Sequence, residues 1–115
     1  MSLVARELEG HGIATVVLGS ALDIVEYCGV PRFLFTDFPL GNPCGPPDDR
    51  EMQALNVGMA LELLRAASEP RTTVRSPFRF SHDERWRENY SRVDDSNREA
   101  LRAAGEARRQ RQASR

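Results

Sequence analysis

The 115-residue chain contains no lysine: all 16 of its basic residues are arginine, which removes a lysine amine from any catalytic role. Cysteine is scarce too. Cys28 and Cys44 do not form a CxxC pair, and neither belongs to a His/Cys cluster with zinc-ligand spacing, so two thiols are expected rather than a disulfide or a metal site. No apolar run approaches the length of a membrane span. The first twelve residues lack the basic and apolar regions of a secretory signal, and a cytoplasmic location is expected by default. With a formal charge of -1, nucleic acid is not expected as a bulk electrostatic partner. No cofactor is expected either.

What is present fits one small domain, with 40% hydrophobic residues and charges of both signs. The stretch from Phe33 to Asp49 organises the rest. It begins as the apolar, aromatic run Phe33 to Phe38, of strand type, and breaks into a loop rich in proline and glycine, Pro39-Leu40-Gly41-Asn42-Pro43-Cys44-Gly45-Pro46-Pro47. Loops beyond the carboxyl ends of strands in open α/β sheets are where ligands sit, and a proline-stiffened one suits a fixed pocket wall. Plain turn formation between a strand and a helix is an equally good account of the same residues.

Around that stretch the pattern alternates. Residues 2–9 form an amphipathic helix with Leu3, Val4 and Leu8 on one face, Ser2 as cap and Gly10 and Gly12 as stops. Ile13 to Leu18 read as a strand covered on both faces. A second helix runs from Ala21 to Cys28 and ends at Gly29. After the loop, Asp48 or Asp49 caps a helix reaching about Ser68, with Met52, Leu55, Met59, Leu63 and Leu64 inward and Ala54, Gly58 and Ala60 allowing close approach to the sheet. Residues 72–75 add an edge strand. The order predicts a small parallel-sheet, Rossmann-like α/β half-domain over residues 1–75, its crossovers right-handed, followed by an Arg-rich helical extension over 76–115. From Ser96 onward there are six Arg against two Glu. That tail is a solvated terminus or an arm docking on an acidic partner through Trp86 and Tyr90.

The opening helix has no strand to deliver it, and two or three strands are few for burying two apolar faces. The chain is therefore expected to be the second half of a larger domain, completed by another polypeptide or a second copy.

The segments Val4-Ala5-Arg6-Glu7-Leu8-Glu9, Gly12-Ile13-Ala14-Thr15-Val16-Val17, Cys28-Gly29-Val30-Pro31-Arg32 and Pro39-Leu40-Gly41-Asn42-Pro43 resemble the C-terminal part of the selenoprotein B subunit of glycine, sarcosine and betaine reductases and of its relative in D-proline reductase. The resemblance covers roughly the first sixty to seventy residues. It implies reductive cleavage of a carbon-heteroatom bond such as C–N by a selenol or thiol. Family members carry that group just upstream of the helix that opens this chain, so the resemblance implies a nucleophile supplied by another chain.

Candidate site residues follow from both readings. Ser20, Asp37, Gly41 and Asn42 would line the substrate side. Asn42 offers a donor and an acceptor to a polar substrate group, or an Asx turn to its own backbone. Gly41 permits close approach. Asp37 orients the loop or serves as a lone carboxylate. Cys44, the candidate catalytic thiol, is either a resolving thiol for the partner's nucleophile, a redox thiol in its own right or a packed small hydrophobe. A non-catalytic module that assembles through its open sheet edge and C-terminal arm is the competing expectation.

Overall fold

The computed structural model describes residues 1–90 and 92–113. Its elements are α1 (Ser2–Gly10), β1 (Val17–Gly19), α2 (Leu22–Cys28), β2 (Arg32–Phe35), α3 (Arg50–Ala66), β3 (Thr72–Arg75), α4 (Arg85–Asn89) and α5 (Arg98–Ala113). They fall into two compact units, Met1–Glu84 and Arg85–Arg115.

In the first unit, the three strands form a parallel sheet in the order β1-β2-β3, with Leu18, Leu34 and Val74 in register across it. This is the expected small α/β half-domain. β2, in the middle, holds the core: Phe33 and Leu34 are almost wholly buried. Alternation along the strand sends Phe33 and Phe35 to one face with Val17, Val25 and Val30, under α2. Leu34 goes to the other face with Leu18, Val74, Ala60 and Leu63, under α3. Because the strand order advances in one direction while the two helices lie on opposite faces, the two crossovers have opposite hands. Two right-handed crossovers were expected. One of the two therefore departs from the usual right-handed rule.

Several boundaries shift for physical reasons. β1 starts at Val17 rather than Ile13, and its residues are half-buried because one side of the strand has no neighbour among the described residues. β2 stops at Phe35; Thr36 still donates its backbone N–H to Gly19 O at 2.9 Å, and then its hydroxyl is captured by the loop. α1 lacks a side-chain cap from Ser2. Asp49 does cap α3, accepting from Met52 N at 3.0 Å. On α3, Ala60 and Leu63 face the sheet as expected, but Leu55, Ala54 and Gly58 point outward. The buried polar residue Asn56 takes the inward place instead.

α1 packs against α2 and is tied to the amino ends of the strands. Arg6 Nη1 donates to Cys28 O at 3.2 Å, and Arg32 Nη1 donates to Glu9 Oε1 at 2.7 Å. Glu9 Oε1 also accepts from the backbone N–H and the hydroxyl of Thr15. The Thr15 backbone bond above all, with the hydroxyl and the Arg32 guanidinium, lowers the Glu9 pKa below its ordinary value.

In the second unit, Trp86 and Tyr90 meet edge to face at 6.4 Å, and the Arg87 guanidinium lies 4.7 Å from the Trp86 ring centroid. Asp94 Oδ1 accepts from Ser96 N just before α5, a helix none of whose described residues is buried. No helix among the described residues is long and apolar enough to cross a membrane, and none of their His, Cys, Asp and Glu side chains cluster as a metal site.

Candidate functional site

The carboxyl ends of the three strands converge on one polar knot that sets the shape of the loop. Thr36, wholly buried at the end of β2, donates its hydroxyl to Pro43 O at 2.7 Å. The Ser20 hydroxyl, just after β1, lies 3.4 Å from Thr36 Oγ1. Ser76, just after β3, donates its hydroxyl to Asn56 Oδ1 at 2.7 Å. Asn56 Nδ2 donates to Cys44 O at 2.9 Å and to Met52 O at 3.1 Å. Buried polar groups of this kind persist only when paired, and here Thr36 and Asn56 each reach a carbonyl of the loop.

The loop is further fixed by its own backbone. Asn42 N donates to Pro39 O at 3.0 Å and Gly45 N to Asn42 O at 3.2 Å, two successive turns. Gly45 adopts φ +145°, and an added Cβ would meet Met52 Cγ at 3.3 Å. Gln53 Nε2 on α3 donates to Pro46 O at 2.6 Å. Phe38, buried below the turn, packs its ring on Phe80 at 5.6 Å between centroids. These contacts make the loop a fixed wall.

The candidate residues divide between wall and surface. Ser20 and Cys44 are half-buried and belong to the knot, Ser20 through its hydroxyl and Cys44 through its carbonyl. Gly41 is exposed at φ +99°, with open space where a Cβ would stand, so a ligand has unobstructed access to its backbone. Asn42 is half-buried, and its amide has no hydrogen-bond partner among the described residues; the Asx turn that would occupy it does not form. Asp37 is exposed beside the buried Phe38. Ser20 and Cys44 are thus joined to one network, Gly41 and Asn42 form the outer turn above it, and Asp37 stands at the start of the loop.

Three network residues escaped sequence reasoning: Thr36, Asn56 and Ser76. The signal for Asn56 was present, since it falls between Met52 and Ala60 on the helical stripe where an apolar residue belongs. Thr36 likewise interrupts an aromatic run.

The amino end of α1 lies at the same end of β1 as Ser20. Met1 borders a groove that also touches Leu18, while Glu9 at the other end of α1 meets Thr15 and Arg32. α1 therefore runs antiparallel to β1.

Comparison with known proteins finds no matching family model, curated protein or solved structure.

Proposed function

We propose that this chain is the substrate-side half of a thiol- or selenol-dependent reductase related to the selenoprotein B family, acting in the cytoplasm on a small amino-acid-like substrate whose C–N bond is cleaved. The observation that carries the reading is the loop itself: the Pro39-Leu40-Gly41-Asn42-Pro43 string sits on a buried polar anchor, with the Asn42 amide unclaimed and the Gly41 backbone accessible. An amide donating to a carboxylate and an adjacent bare backbone suit a small zwitterion. The nucleophile comes from a second polypeptide, and Cys44 is the candidate resolving thiol.

The test is direct. The ¹⁵N-labelled chain is titrated with glycine, sarcosine, betaine and D-proline, following the amides of Ser20, Gly41 and Asn42. Saturable shifts at these three positions are expected, and Asn42→Ala should weaken binding about tenfold, the worth of one charge-assisted hydrogen bond. If all four compounds leave the loop amides unmoved at millimolar concentration, the reading fails.

The free side of β1 favours a second reading, a non-catalytic module that assembles by its sheet edge. A chain that binds a partner yet ignores all four compounds would favour that reading.

A further inference from the structure

At the amino ends of β2 and β3, away from the loop that follows β2, the chain forms a hollow of about 230 Å³ bordered by Glu26, Val30, Arg71 and Thr73. Arg71 is a non-glycine residue at φ +59°. Its neighbour Thr72 holds that turn, donating its backbone N–H to Pro31 O at 3.1 Å and its hydroxyl to Glu69 O at 2.7 Å. The turn lays the Arg71 guanidinium over Gly29, the left-handed residue at φ +68° that ends α2. A Cβ added to Gly29 would stand 3.6 Å from Cζ, Nε and Nη2 of Arg71. Arg71 Nη2 donates to Glu26 O at 3.4 Å, which leaves Nε and Nη1 without a partner among the described residues.

We propose that this hollow binds a small zwitterion, an amine and a carboxylate joined by a short carbon chain, with its carboxylate on Arg71 and its ammonium on Glu26. The two side chains carry opposite charges and border the same space, yet neither forms an ion pair with the other or with any other described residue. That arrangement selects the ligand. A lone anion would gain Arg71 but meet the Glu26 carboxylate, and a lone cation would meet the reverse. A ligand carrying both signs finds a complement for each. The guanidinium presents forked donors to a carboxylate, and an ammonium beside Glu26 also lies at the carbonyl end of α2, where positive charge is favoured. The Thr73 hydroxyl, which has no hydrogen-bond partner among the described residues, adds a donor and an acceptor. Val30, buried against Phe33 and Phe35, gives the carbon chain an apolar surface. Because Glu26 and Arg71 are themselves exposed, water screens both contacts and millimolar affinity is expected. The proposal does not depend on the reductase reading, which concerns the loop beyond the opposite ends of the strands.

The test titrates the full ¹⁵N-labelled chain, at constant ionic strength, with glycine, β-alanine and γ-aminobutyrate, in which the two charges stand progressively further apart, and with acetate and methylammonium as probes of a single sign. At least one zwitterion is expected to give saturable shifts of the Gly29, Val30, Arg71 and Thr73 amides and of the Arg71 Nε–H signal. Acetate and methylammonium should bind about tenfold more weakly, the worth of one charge-assisted hydrogen bond. Arg71→Gly removes the guanidinium and suits the left-handed backbone, so it should abolish the response while leaving the β1 and β2 resonances in place. Glu26→Gln removes the repulsion of anions and the attraction of the ammonium together, and should bring acetate level with the zwitterion. Native-chain binding of acetate as tight as that of every zwitterion would overturn the proposal, by making the hollow a plain anion site. So would the absence of a saturable response at these amides, or a response that survives Arg71→Gly. The loop amides of Ser20, Gly41 and Asn42 are read separately in the same spectra: a response there alone removes this site and keeps the reductase reading, and a response at Gly29 and Arg71 alone does the converse.

Discussion

Replacing Asn56 by Ala tests whether the loop is held from below. Asn56 is wholly buried and engages three groups: Cys44 O at 2.9 Å, Met52 O at 3.1 Å and the Ser76 hydroxyl at 2.7 Å. Met52 O sits within α3 and loses only a second bond. Cys44 O and the Ser76 hydroxyl lose a partner inside the protein, at about 1–3 kcal/mol for each group left unsatisfied. The loss is therefore about 3 kcal/mol, taking the lower half of that range for each and adding a small cavity term. Small domains have total stabilities of about 5–15 kcal/mol, so the variant should still fold. Urea unfolding with a slope of about 1 kcal/mol/M would move the midpoint down by about 3 M. Ser76→Ala, which removes one hydroxyl and leaves Asn56 Oδ1 unpaired, should cost about half as much. A second readout is local: alkylation of Cys44 should accelerate in Asn56→Ala under conditions where the chain remains folded. If Asn56→Ala changes stability by less than about 0.5 kcal/mol and leaves the Cys44 rate unaltered, the knot does not hold the loop.

Three further outcomes are expected. Thr36→Val keeps the shape of the side chain but abandons Pro43 O, and should lower stability by about 1–2 kcal/mol in thermal or urea unfolding. Asp49→Ala removes the α3 cap and should cost about 1 kcal/mol, read as a lower melting temperature with unchanged loop amides. The Glu9 carboxyl titrates below its ordinary value, so in the folded chain it stabilises at neutral pH and that contribution disappears as pH falls through the depressed value. The stability of α1 should thus start to fall as pH drops past the ordinary glutamate value and go on falling through the depressed one, and Glu9→Gln should flatten this dependence while lowering stability at pH 7.

The strands and helices of the first unit were legible because their signals are local. The β-branched run, the aromatic run and the Asp49 cap each declare an element within a few residues. The limits of those elements were set by neighbours. Ile13 to Val16 have strand propensity, yet only Val17–Gly19 pair, because pairing needs a partner strand and Thr15 is instead bound to Glu9. The inward face of α3 was misread at Leu55 because composition favours a leucine over Asn56, and only the distant Ser76 and Cys44 make Asn56 the better inward residue. The candidate loop was visible as a rigid turn; that its rigidity comes from Thr36, Asn56 and Ser76 depends on contacts spanning three strands.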